Sequence, residues 1–410
     1  MRLPPLLREN PNFRRLWIGQ TVSLFGDQIT LIALPLTAVI ALHASPAKMG
    51  YLTTAALVPN LIFALHAGAL VDRLGKRRLT MLVADAARAV LVATITLAFA
   101  LGHLTFVQLY VVAFLIGTAS VFFSVAYGAL FAITVERDEY VAASSLLNGS
   151  RAGSFMAGPS AGGLLVSLLK GPWALLVDSV TFVWSAAFLR RMDLPEPEGD
   201  RGPGGVLSGA RWLKQSKIMR ADLAATTTIN FFNFVFFALF VLYANRSLHV
   251  PPWALGLVLG TGAIGSLLGS IVTARVTRRI GIGPAFMLGC VLFPAPLLLV
   301  PAAGGPRWLV YACLFGSEFG AGLGVMILDI SAGAMSAALI PTNLRARVSG
   351  AFTVVNYGVR PIGTLTGGFL GEAIGLRTTL WIATAGACAA ILWLLPSPVP
   401  ALRELPEVPE

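Results

Sequence analysis

Gly68-Ala69-Leu70-Val71-Asp72-Arg73-Leu74-Gly75-Lys76-Arg77-Arg78 closes one long apolar run and opens the next. Glycines and charges crowd this short stretch, while apolar residues press on it from both sides. A soluble core has no place for such a cluster between two buried segments. A bilayer does, because a tight hairpin between two spans must keep its charges in water. The stretch therefore predicts a membrane protein whose second and third spans meet in a short basic loop.

Composition agrees. The 410 residues are 56% apolar and only 12% charged, with a mean hydropathy of +0.78. A soluble domain carries about a quarter charged residues. The apolar runs are continuous over about 20 residues and do not alternate, so helices are expected rather than a barrel. The net charge of +11 does not point to nucleic acid, because the Lys and Arg gather in the gaps between apolar runs. Cys290, Cys313 and Cys388 all lie inside apolar runs and read as small buried hydrophobes, not as disulfide or zinc ligands. The four histidines are scattered, and no metal site is implied.

Twelve apolar segments can be drawn, at approximately 16–42, 48–71, 79–101, 104–135, 144–169, 172–190, 221–245, 253–275, 283–303, 307–340, 347–371 and 375–396. Each is long enough to cross a hydrocarbon core of about 30 Å at about 1.5 Å per residue. The basic N-terminus leads into an uncleaved first span. With that terminus in the cytoplasm, 22 Lys and Arg fall inside and 5 outside, the latter being Lys48, Lys170, Arg246, Arg307 and Arg377. Arg88, Arg151 and Arg360 fall within spans. That asymmetry predicts both termini in the cytoplasm.

The expected organisation is a six-helix half over 1–191, a cytoplasmic linker over 192–219, a second six-helix half over 220–397 and a cytoplasmic tail over 398–410. The linker begins Pro/Gly-rich and ends in the basic amphipathic piece Ala210–Lys217. That piece reads either as an interfacial helix with Trp212 and Leu213 in the inner leaflet, or as a solvated helix. The halves echo each other. Segment 8 ends in Gly265, Gly269, Arg275, Arg278, Arg279 and Gly281, as segment 2 ends in its basic loop; Gly158-Pro159 in segment 5 is matched to Arg360-Pro361 in segment 11. Six spans plus six, with matched loops, is the pattern of a two-repeat transporter around a central site.

The Gly68–Arg78 loop resembles the signature loop between spans 2 and 3 of the major facilitator superfamily. Ser154-Phe-Met-Ala-Gly158-Pro159-Ser-Ala-Gly162-Gly163 resembles the antiporter motif of its drug/proton branches, with Ser154 in place of the first glycine. Gly26-Asp27 and Leu344–Val348 add a likeness to the bacterial branch of enterobactin exporters and macrolide efflux proteins (transmembrane secretion effectors). The resemblance implies an all-α fold of twelve transmembrane helices in two pseudo-symmetric halves, in the bacterial plasma (inner) membrane. It implies that the loop latches the halves: Gly68 for close helix approach, Gly75 for the turn, and Asp72 and Arg73 for the contact, with Arg345, Arg347, Glu136, Asp138 and Glu139 as partners. Lys76, Arg77 and Arg78 read as topology anchors. Many proton-coupled exporters carry an arginine in span 4; Leu104–Val135 has none, a departure that favours the siderophore/macrolide branch.

Ionisable residues inside spans are costly, so each is a functional candidate. Asp27, mid-span in segment 1, is the first candidate for proton coupling or substrate contact. Asp85 and Arg88 stand three apart on one helix face and read as a structural pair. Arg151 is expected to neutralise Asp27 or Asp85, and Asp178 reads as structural. Glu318 and Asp329 share a face of segment 10 and form, with Asn356 and Arg360, a polar set in the second half; Arg360 is expected to pair with one of these carboxylates or with an anionic substrate. Asn230 and Asn233 sit among Phe231, Phe232, Phe234, Phe236 and Phe237, a mixture suited to an amphipathic organic ligand, although many of these rings must face lipid. Segment 5 is expected to pack through Gly153, Gly158, Gly162 and Gly163 and to bend at Pro159.

No catalytic constellation and no phosphate-binding loop stand in the sequence, so neither an enzyme nor an ATPase is expected, and no cofactor. The expected driver is an ion gradient: one charge crossing 100 mV is worth about 2.3 kcal/mol. The reading is proton-driven export of an amphipathic drug, macrolide or siderophore by a monomer in the bilayer. A lipid or lysolipid flippase of the same fold, marked by a Phe-lined lateral opening, is the alternative transport reading. A non-transporting sensor, marked by absence of flux, is the alternative from another class.

Overall fold

The computed structural model describes residues 4–194, 206–341 and 344–404. Within them the chain is almost entirely helical. We label the long helices α1 (Pro11–Leu36), α2 (Pro46–Leu74), α3 (Arg77–Ala100), α4 (Phe106–Thr134), α5 (Tyr140–Leu169), α6 (Gly171–Arg190), α7 (Lys217–Arg246), α8 (Pro252–Ile280), α9 (Ile282–Leu292), α10 (Arg307–Leu339), α11 (Arg345–Ile374) and α12 (Leu376–Cys388). Among the described residues ten helical stretches are long and apolar enough to cross a membrane, α9 and α12 counting together with the short helical turns that follow them. The helices α2 and α11, of 29 and 30 residues, are not among the ten.

Local chemistry sets the helix ends. Asn10, Thr105 and Ser216 each accept a hydrogen bond from the backbone N–H three residues on, at 2.8, 3.3 and 3.4 Å, and so start α1, α4 and α7. The segment expected at 283–303 is not one continuous α-helix. After Leu292 the chain passes through a tighter turn at Ala295–Leu298, where Pro294 and Pro296 lack the backbone donors an α-helix needs.

The chain divides into two compact units. The first holds Met1–Ala44, Ala55–Gly202 and Pro251–Leu257; the second holds Ser45–Thr54, Pro203–Val250 and Val258–Glu410. Each unit thus takes in the first turns of a helix whose remainder belongs to the other. In the first, Ser167 Oγ accepts from the backbone N–H of Trp253 at 3.0 Å, capping the start of α8. In the second, Glu372 Oε2 accepts from the N–H of Ala47 at 3.3 Å, capping the start of α2.

These caps belong to an internal repeat that runs through the whole chain. His43 and His249 carry φ of 52° and 54°, Gly75 and Gly281 of 61° and 93°, and Lys170 and Gly375 of 69° and 86°. The two members of every pair stand the same distance apart in sequence, to within one residue. Packing follows the same register: a Cβ on Gly158 would meet Gln28 and one on Gly363 would meet Phe234, while Gly162 faces Ile29 as Gly367 faces Val235. The expected match of Gly158-Pro159 to Arg360-Pro361 is therefore off by about one helical turn; Gly158 corresponds to Gly363, and Pro159 to Thr364. Proline marks a bend but not a register, and the glycines that touch α1 and α7 fix it.

The linker helix Val206–Gln215 matches neither reading of its sequence. Leu213 is 4% exposed and packs with Met219, Ile340, Val348 and Ala351, with Trp212 beside them, so its apolar side lies on protein rather than in lipid. The Pro/Gly stretch before it lies outside the described residues.

Candidate functional site

In the first unit the site is built on α1, α3 and α6. Gly26 has no Cβ, and one placed there would lie 2.0 Å from Thr181 Oγ1 and 2.2 Å from Asp178 Oδ1. The Asp178 carboxylate therefore lies directly against the α1 backbone, accepting from Thr181 Oγ1 at 2.9 Å and from Thr30 Oγ1. One residue on, the same turn of α1 carries Asp27 into a cavity of about 350 Å³ whose other polar walls include Gln20, Ser23, Tyr127 and Arg151.

The cation in that cavity is Arg88. Its guanidinium lies over the rings of Phe123 and Phe182, at 4.4 and 4.3 Å from their centroids. It donates to Asp85, one turn earlier on α3, and comes within 3.9 Å of Asp27. Side-chain exposure separates the two carboxylates: Asp85 is 0% exposed and Asp27 43%, with Arg88 at 4%. Breaking a buried pair by removing one partner costs about 3–5 kcal/mol, whereas a solvent-exposed pair is worth about 0–1 kcal/mol. Asp85 therefore fixes Arg88, while Asp27 approaches it from the cavity at 3.9 Å. Arg151 lines the same cavity but is not the residue that neutralises these carboxylates: both ion pairs use Arg88.

In the second unit a polar ladder joins α7 to α11. Asn356 Nδ2 donates to Thr226 Oγ1 at 3.4 Å, Asn230 Nδ2 to Asn356 Oδ1 at 2.8 Å, and Arg360 Nε to Asn230 Oδ1 at 3.2 Å. The Arg360 guanidinium lies 3.7 Å from the Tyr357 ring centroid and 5.0 Å from that of Phe234. The expected ion pair of Arg360 with Glu318 or Asp329 does not form among the described residues. Amide oxygen and aromatic faces hold the guanidinium instead. Glu318 faces α8 at Gly262, where an added Cβ would stand 3.4 Å from its Oε2. Asn233 is half-buried on α7. The phenylalanines around it divide: Phe236 is buried and stacks on Phe240, Phe232 packs on Gly386 of α12, and Phe237 is exposed.

The motif of α5 faces α1 and the start of α8. Gly158 meets Gln28, Gly162 meets Ile29, and Gly163 meets the carbonyl of Pro252 and then Gly256; Pro159 is buried in the same face. Gly153 does not share this packing, for a Cβ there would meet nothing within 4 Å. At the opening loop, Gly75 takes φ 61°, the turn expected of it, and Arg73 is exposed in the last turn of α2. Gly68, expected to bring two helices together, has open space where its Cβ would be. The Asp72 side chain lies outside what the structure describes. Arg78 does more than anchor topology: it donates to the carbonyl of Met192, tying the loop to the end of α6.

One contact and one further buried residue are not legible in the sequence reading. The sequence pairs Arg88 with Asp85 but not with Asp27, because nothing in a single sequence tells that α1 and α3 converge there. Asp222, near the start of α7, is absent from the sequence candidates. It is fully buried, and neither carboxylate oxygen has a hydrogen-bond partner among the described residues. A lone acidic residue five residues into a long apolar helix is the signal that could have found it.

A helical fold of two repeated units, each burying charged and amide groups between its helices, is the pattern of a membrane transporter. The Major Facilitator Superfamily profile matches residues 16–364, and the chain belongs to that family. Multidrug efflux pump Tap of Mycobacterium tuberculosis is 27% identical, covering 94% of this chain and 92% of its own. Tap of Mycolicibacterium fortuitum is 26% identical over 86% and 88%. Among solved structures, nucleoside transporter NupG superposes with a TM-score of 0.77 over 94% of this chain and 98% of that one; at 12% identity this likeness concerns the fold alone.

Proposed function

We propose that the protein exports an amphipathic small molecule by proton antiport with alternating access. The observation that carries this reading is Arg88, fixed by Asp85 and two aromatic rings while reaching Asp27 across a cavity. With Asp27 ionised, Arg88 is shared. With Asp27 protonated, Arg88 belongs to Asp85 alone and the polar cost of closing the cavity falls. A cationic or hydrogen-bonding substrate competes with the proton for the same carboxylate, which is the condition for exchange. The efflux-pump relatives support export and a drug-like substrate class.

In this reading twelve helical stretches, α9 and α12 taken with the turns that follow them, cross the inner membrane of a bacterium, with both termini in the cytoplasm, and the protein acts as a monomer without a cofactor. Asn230, Asn233, Asn356 and Arg360 contribute hydrogen bonds and aromatic-backed charge to substrate binding, with Glu318 and Asp329 as further candidates for proton coupling. Gly68, Asp72, Arg73 and Gly75 act in gating. The test is a drug and macrolide susceptibility panel in a bacterial host stripped of its own exporters. Expression of the wild-type chain raises resistance to at least one compound, and Asp27→Asn, present in the membrane at equal amount, abolishes it. Full resistance in that variant removes Asp27 from the mechanism.

A further inference from the structure

A second cavity, of about 370 Å³, lies in the second unit, away from the ladder just described. Ser270, Thr273, Thr277 and Arg278 of α8, Ile330 of α10 and Arg403 of the C-terminal segment line it. Its charge is one-sided. Among the described residues Arg278 and Arg403 are its only charged lining groups; Glu404, next to Arg403 in sequence, does not line it. Arg278 is held by its Nε, which donates to the carbonyl of Ala274 at 3.1 Å; neither of its terminal nitrogens has a partner among the described residues.

Arg403 is not a loose tail residue. The carbonyls of Leu402 and Arg403 accept from the N–H groups of Gly283 and Ile282 at 2.8 and 3.2 Å, capping the first turn of α9. Gly281 and Gly283 make room for this docking. A Cβ on Gly283 would lie 1.9 Å from the carbonyl oxygen of Val399, and one on Gly281 would lie 2.8 Å from the Cα of Arg403. Val399 itself is buried in the cluster formed by Phe286, Cys290 and Leu394. The chain thus anchors its C-terminal segment through backbone and core, which fixes Arg403 in the lining of the cavity that Arg278 also lines.

We propose that this cavity binds a phosphate-type anion: the phosphodiester of an anionic phospholipid or a free phosphate. Two guanidinium forks with no carboxylate between them match tetrahedral oxyanions, which accept several parallel N–H bonds. The hydroxyls of Ser270, Thr273 and Thr277 donate within α8, to the carbonyls of Leu267, Gly269 and Thr273, so the two arginines carry the contact with the anion. The site lies at the basic end of α8, which the charge asymmetry predicts on the cytoplasmic side, next to headgroup phosphates.

The test uses the purified full-length protein in a neutral detergent. Its thermal unfolding is followed with added phosphatidylglycerol, phosphatidylcholine or inorganic phosphate, and native mass spectrometry counts retained lipid. The wild-type protein is expected to be stabilised by phosphatidylglycerol, or by inorganic phosphate if the free anion is the ligand, and more weakly by phosphatidylcholine. In Arg278→Gln/Arg403→Gln the apparent affinity falls by about tenfold or more, the scale of one lost charge-assisted hydrogen bond. Arg403→Gln keeps the backbone cap; should the double variant nonetheless unfold, Arg278→Gln alone, outside the cap, carries the same expectation. No stabilisation of the wild-type protein by any of the three, or an equal response in the variants, overturns the proposal.

Discussion

Two carboxylates compete for one arginine, and their surroundings differ. Asp85 is sealed from solvent beside Arg88, whereas Asp27 opens into a cavity. Removing the arginine leaves Asp85 buried and alone, so Arg88→Gln is expected to destabilise the protein by about 3–5 kcal/mol. Asp27→Asn is expected to destabilise much less than Arg88→Gln, because its contact with Arg88 is long and Asp85 keeps the guanidinium paired. Thermal unfolding of the three proteins in detergent checks the order, and an Asp27→Asn variant as unstable as Arg88→Gln would contradict it. At this scale the sequence shows which residues are costly but not whom they meet. Asp85 and Arg88 are legible because they share a helix face. The Asp27 to Arg88 contact spans two helices, and so does the substitution of Asn230 and aromatic rings for a carboxylate beside Arg360.

At the scale of elements, glycine contacts decide how closely helices pack. Gly162 of α5 lies 3.0 Å, Cβ to Cα, from Ile29 of α1, with no flexible side chain to yield, while Gly153 faces open space. Gly162→Leu is expected to lower the yield of folded protein severely and Gly153→Leu to leave it unchanged, as read by size-exclusion profiles of the solubilised variants. The reciprocal caps offer a finer check. Ser167→Ala and Glu372→Ala should each cost about 0.5–2 kcal/mol, the usual worth of an N-cap, and their melting temperatures should fall by similar amounts. Helix existence is legible from apolar length, and the repeat from its loops. The exact register is not, since Pro159 and Pro361 are conspicuous in sequence while the contacts that set the repeat belong to Gly158, Gly162, Gly363 and Gly367. The break after Leu292 could have been read from Pro294 and Pro296.

For the molecule as a whole, hydropathy and one basic loop are enough to reach the superfamily, because membrane burial constrains sequence over its entire length. They cannot reach the substrate, which depends on a few side chains converging from separate helices. The charge asymmetry predicts that single cysteines introduced at Arg2 and Arg403 react only with reagents entering from the cytoplasm, and one at Lys170 only with reagents from outside; the reverse pattern would refute the orientation. The central claim, exchange of a proton for substrate, is tested most directly in everted membrane vesicles given a compound to which the protein confers resistance. An imposed gradient, acid inside, is expected to drive uphill accumulation of the compound that collapses with a protonophore and is missing in Asp27→Asn. Accumulation that ignores the pH gradient, or that survives intact in Asp27→Asn, would contradict it.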